Sequence, residues 1–139
     1  MTVGDSVDLA TLKAAENVVV FATADHDDLM RRASLVVTHG GHGTLMRALT
    51  QGLPLVVIPG MAHDQTPNAA AAQAWGVGRA LPGDADAEAM RGTVQEVLAS
   101  PACRENAEAI SRQLAGVDGA RNAAIEIEAL LSERLRKAS

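Results

Sequence analysis

Two short polar segments bring together residue types suited to holding an anion: His39-Gly40-Gly41-His42-Gly43-Thr44 and Gly60-Met61-Ala62-His63-Asp64-Gln65. Each follows an apolar run. Glycines let the backbone approach a ligand closely, and a helix that starts right after them aims its first N–H groups at the ligand. Thr44 adds a hydroxyl donor and His39 a ring N–H, so the first segment reads as a phosphate cradle without lysine. It is not a Walker loop, because no Gly-Lys-Ser/Thr follows the glycines. Nor does it match Gly-x-Gly-x-x-Gly, since Met46 stands where the third glycine belongs. His39-x-x-His42 with His63 and Asp64 could instead gather around a metal. The glycine-rich spacing and the lack of a matching ligand triad weigh against that arrangement, and no metal or cofactor is expected.

These segments need elements to hold them. Val18-Val19-Val20-Phe21, Leu35-Val36-Val37 and Leu55-Val56-Val57-Ile58 read as strands covered on both faces, being short, β-branched and apolar without alternation. A weaker fourth strand is predicted from Gly78 to Leu81. Amphipathic segments lie between them, around Asp27 to Ala33 and Thr44 to Gln51, which argues for βαβ units and a parallel sheet. Thr66-Pro67 predicts an N-cap with proline at the first helical position, opening a helix through Trp75 that stops at Gly76. Asp86 predicts a cap for a helix to about Ala99, and Ser100-Pro101 one for a helix to about Ala115. In the last segment Ala120, Ala123, Ala124, Ile127, Leu130 and Leu131 share one face. The fold class is α/β, a Rossmann-like doubly wound parallel sheet finished by C-terminal helices. In such sheets ligands bind outside the carboxyl ends of the strands, where both polar segments fall.

Composition narrows the partner. The 139 residues suit one domain over 1–139, and a chain of this length buries roughly 68% of its unfolded surface. Hydrophobic residues at 47% and charged ones at 21% exclude wholesale disorder. No apolar run is long enough for a membrane span, and Met1-Thr2-Val3-Gly4-Asp5 lacks a signal-peptide pattern. The lone Cys103, which reads as an inert or exposed thiol, fits a reducing compartment, so the cytoplasm is expected. A net charge of −5 with no Tyr, one Phe and one Trp gives nucleic acid neither attraction nor a stacking platform. Trp75 reads as a packing residue that closes its helix, and His63 as a solvated loop residue.

An ordered series of residues resembles a known family. Val36-Val37-Thr38-His39-Gly40-Gly41-His42-Gly43-Thr44, then Ala48-Leu49, Gly52-Leu53-Pro54, Pro59, Asp64-Gln65 and Asn68-Ala69, is similar to the donor-binding motif of GT-B glycosyltransferases. The likeness is to the family 1 enzymes of antibiotic and macrolide glycosylation. It implies that His39, the backbone at Gly41 and Gly43, and the Thr44 hydroxyl hold the diphosphate of a UDP- or TDP-sugar. Asp64 and Gln65 would bind hydroxyls of the transferred sugar. Thr23-Ala24-Asp25-His26 corresponds to the loop against the nucleobase, though the usual proline is missing; Ala24, Asp25 and His26 mark that region. His42 stands where plant members carry a stacking Trp, and it reads as structural or solvent-facing.

The resemblance further implies inverting transfer to a small-molecule acceptor hydroxyl, with the catalytic base and acceptor site in an N-terminal half. Because Thr2-Val3 runs at once into Gly4-Asp5-Ser6, like a strand tail without its helix, the first βα unit is expected to be missing as well. The chain alone is expected not to transfer sugar. It would need that half, or work in trans with a separate acceptor-binding subunit. A metal-dependent phosphohydrolase built on the histidine loops is the remaining alternative. An uncovered sheet edge predicts a homo-oligomer.

Overall fold

Three of the apolar runs build one parallel sheet. The computed structural model describes residues 1–4 and 7–138, and its sheet has the order β1 (Val36–Thr38), β2 (Leu55–Val57), β3 (Gly78–Ala80). Val37 pairs with Val56 and Val56 with Arg79, so β2 is central. Its side chains alternate between two cores. Leu55 and Val57 join Leu45, Leu49, Ala69, Ala72 and Val77 on one face, while Val56 meets Val97 and Cys103 on the other. A strand with helices on both faces has no solvent side, which is why 55–57 is apolar throughout.

Helices fill the connections: α1 (His26–Met30), α2 (His42–Thr50) after β1, and α3 (Gln65–Ala74) after β2. After β3 come α4 (Ala87–Ala99), α5 (Pro101–Leu114) and α6 (Gly119–Ala138). Two caps act as their sequence predicts. Asp86 accepts from the Ala89 amide at 2.8 Å, and Ser100 accepts from the Cys103 amide at 3.2 Å with Pro101 opening α5.

α5 also lies against the turns that feed the strands. Arg104 donates to the Ser34 carbonyl before β1, Ser111 to the Thr50 carbonyl before β2, and Asn106 to the Gly76 carbonyl before β3. The N-terminal end of the sheet is thus tied at three points by one helix.

Several expectations need correction. Residues 18–21 form no buried strand: Val19 is 64% exposed, and among the described residues the segment makes a single parallel bridge, Thr2 to Phe21. Its backbone pairs with Met1 and Val3 (Phe21 N–H to Met1 O, 2.8 Å; Val3 N–H to Phe21 O, 3.1 Å), and its side chains stay outside both cores. Of the residues that follow the expected strand tail Thr2-Val3, Asp5 and Ser6 lie outside the described residues. α3 begins two residues earlier than expected, with Asp64 rather than Thr66 as N-cap and Pro67 in the first turn, where its missing N–H breaks no helical bond. Cys103 is buried, which removes the exposed-thiol reading. Trp75 is half exposed, at the rim of a hollow of about 460 Å³ between α2 and α5. The apolar face of α6 covers no core; Ile127, Leu130 and Leu131 are all exposed.

Candidate functional site

The carboxyl ends of β1 and β2 are neighbours, so the loops leaving them meet. β1 ends in Thr38, the one buried polar residue among those described. Its Oγ1 accepts the Gly40 N–H at 3.2 Å, folding the chain back over the strand end. Gly40 has φ +88°, and a Cβ there would lie 2.8 Å from Val57 Cγ1 and 3.2 Å from the Gln65 carbonyl oxygen. Only glycine allows the first loop to pass this close to β2 and α3. Asn68, in the first turns of α3, donates its side-chain N–H to the Gly40 carbonyl at 2.8 Å and locks the two loops together.

Gly41 is the N-cap of α2 and has no side chain to offer the helix. The first intrahelical bond here is Leu45 N–H to Gly41 O, at 3.1 Å. The amides of His42, Gly43 and Thr44 therefore have no partner within the helix, and they carry the positive end of its dipole. A Cβ on Gly43 would meet nothing within 4 Å, so open space stands over this first turn. The His39 ring lies against the N-cap residue, with Nε2 only 2.6 Å from where a Gly41 Cβ would sit. His39, His42 and Gly43 are exposed, and Thr44 is half-buried.

The second loop offers a carboxylate and an amide. Asp64 is the N-cap of α3, yet its side chain makes no cap hydrogen bond, which leaves the exposed carboxylate available. Gln65 Oε1 accepts the Gly60 N–H at 2.7 Å, fixing the loop's curvature and leaving the side-chain NH2 as a donor. Thus His39, Gly41, Gly43, Thr44, Asp64 and Gln65 come from two adjoining loops at one end of the sheet. Such an arrangement can accept a diphosphate at the start of α2 and hydroxyl groups beside α3.

The 5–130 stretch matches the family model described as "Erythromycin biosynthesis protein CIII-like, C-terminal domain". The chain belongs to this family. Among curated relatives, an NDP-glycosyltransferase of Bacillus licheniformis is 30% identical over 95% of this chain and 34% of its own length. Demethyllactenocin mycarosyltransferase of Streptomyces fradiae is 32% identical over 84% of this chain and 25% of its own. A solved calicheamicin glycosyltransferase superposes with a TM-score of 0.81 at 30% identity, over 94% of this chain and 34% of that one. The chain therefore has the fold of the C-terminal part of GT-B glycosyltransferases, and it spans a quarter to a third of these relatives.

The third predicted region stands apart in its bonding. Asp25 caps α1, accepting from the Asp27 and Asp28 amides at 2.8 and 3.3 Å, and His26 Nε2 lies 3.3 Å from Thr2 Oγ1. Among the described residues no hydrogen bond joins Ala24, Asp25 or His26 to the two loops. Among the described residues, no three His, Cys, Asp or Glu side chains converge to hold a metal ion. The loops depend on two residues to which the sequence assigned no role, Thr38 and Asn68. A threonine two residues before a glycine at a strand end was the available signal for the first. For Asn68 only the fold brings its partner within reach.

Proposed function

We propose that this chain is the nucleotide-sugar-binding part of an inverting glycosyltransferase. The observation that carries the reading is the uncapped start of α2, open at Gly43, with the His39 ring against its N-cap residue Gly41. The diphosphate of a UDP- or TDP-sugar would lie across the His42, Gly43 and Thr44 amides, with His39 and the Thr44 hydroxyl donating from the sides. Asp64 would accept, and the Gln65 amide donate, hydrogen bonds to the sugar. The base would lie toward Ala24 and His26; the Asp25 carboxylate is already bound to the α1 amides.

Transfer would proceed by attack of an acceptor hydroxyl on the anomeric carbon, opposite the departing diphosphate. As the sugar–phosphate bond lengthens, negative charge grows on the diphosphate oxygens. Preorganised amides and the helix dipole stabilise that charge without reorganising. The proton of the acceptor goes to a base that we assign to an N-terminal acceptor-binding half, in the same chain or in a partner.

Calorimetric titration of the folded chain with UDP, TDP and GDP tests this reading. Selective binding of a uracil or thymine nucleotide is expected, weakened about tenfold by His39→Ala, the scale of one hydrogen bond to a charged group. A chain that unfolds cooperatively yet binds none of the three would overturn it.

A further inference from the structure

One residue of α3 spans the two half-sites. Asn68 is half-buried and donates in two directions. Its side-chain N–H reaches the Gly40 carbonyl at 2.8 Å, and its backbone N–H the Asp64 carbonyl at 3.0 Å. Gly40 lies between His39 and Gly41, the residues assigned above to the diphosphate. Asp64 and its neighbour Gln65 are the residues assigned to the sugar.

This link has no substitute. Gly40 is buried, and among the described residues its carbonyl accepts no other hydrogen bond. A carbonyl admits only the NH2 end of the amide, so neither leucine nor an ionised aspartate of similar size can replace asparagine. Each loop also has an internal tie, Thr38 to Gly40 in the first and Gln65 to Gly60 in the second. Those ties hold the shape of each loop. Between residues 39–44 and 60–68, the Asn68 side chain makes the only hydrogen bond among the described residues.

We propose that Asn68 is a positioning residue, which sets the sugar-side loop against the diphosphate cradle before any ligand arrives. The proposal rests on the nucleotide-sugar reading above. A ligand that spans both loops must order them relative to each other unless they are already so ordered, and that ordering opposes binding. A ligand that reaches only the first loop meets no such cost. Loss of Asn68 should therefore weaken a nucleotide sugar more than the nucleoside diphosphate it contains.

Two measurements on the full chain, native and Asn68→Ala, test this role. Alanine favours a helix more than asparagine does, so α3 itself is not impaired. In the free chain, amide exchange at Gly40 and Gly60 should become about tenfold faster, with Val56 of the central strand unchanged. Asn68→Asp keeps the size of the side chain and suits the start of a helix, and it should show the same exchange. By calorimetry, Asn68→Ala should lower affinity for UDP-glucose or TDP-glucose about tenfold, and for UDP or TDP by less than about twofold. Equal losses for nucleotide and nucleotide sugar would overturn the positioning role and leave Asn68 a residue of stability alone. Exchange that rises as much at Val56 as at Gly40 would overturn it in the same way. A native chain that binds none of the four ligands would overturn the nucleotide-sugar reading itself, and the positioning role with it.

Discussion

At Gly43, stability and binding should move in opposite directions. The residue lies inside the first turn of α2, where alanine is favoured over glycine by up to about 1 kcal/mol, and an added Cβ meets no atom. The same methyl group would stand where a phosphate must approach the amides. Gly43→Ala should therefore raise the thermal midpoint by a few degrees while reducing nucleotide binding at least about tenfold. Unchanged binding in the stabilised variant would place the diphosphate elsewhere. Gly40 is different in kind, with φ +88° and Val57 and Gln65 pressed against it. The open amides at the start of α2 were legible in the sequence, because glycines before a helix imply them by local rules alone. Asn68 was not, because its hydrogen bond to Gly40 spans 28 positions and exists only once β1 and β2 lie side by side.

At the level of elements, local chemistry and non-local pairing separate cleanly. Ser100-Pro101 opens α5 as expected, since a cap and its amide are three residues apart. Ser100→Ala should lower stability by about 1 kcal/mol, measurable by urea denaturation with an unchanged slope. The apolar runs 18–21 and 55–58 looked alike as sequence. They differ because β2 has a paired strand on each side, whereas, among the described residues, 18–21 pair with the short stretch Met1–Gly4 and join neither core. Periodicity reports what a segment could bury, not whether its neighbours exist. Amide exchange should show this directly, with Val56 and Val57 among the slowest sites and residues 18–21 exchanging orders of magnitude faster. Comparable protection in both runs would contradict the exposed placement of Val19.

Across the whole molecule, the two ends of the sheet have separate tasks. The carboxyl end holds the polar loops; the amino end is tied by Arg104, Asn106 and Ser111 of α5 to the three turns that feed β1, β2 and β3. Removing two of these bonds with Arg104→Ala and Ser111→Ala should lower the thermal midpoint, each contributing about 1 kcal/mol. Nucleotide affinity at temperatures where the chain stays folded should not change. A loss of affinity in step with stability would mean that the two ends are coupled through β2. If they are independent, exposed positions of the second loop, such as Met61, His63 and Asp64, can vary without disturbing the clamp. Libraries diversified there should yield mostly folded proteins, so a lineage could change what these positions touch through intermediates that never lose their architecture.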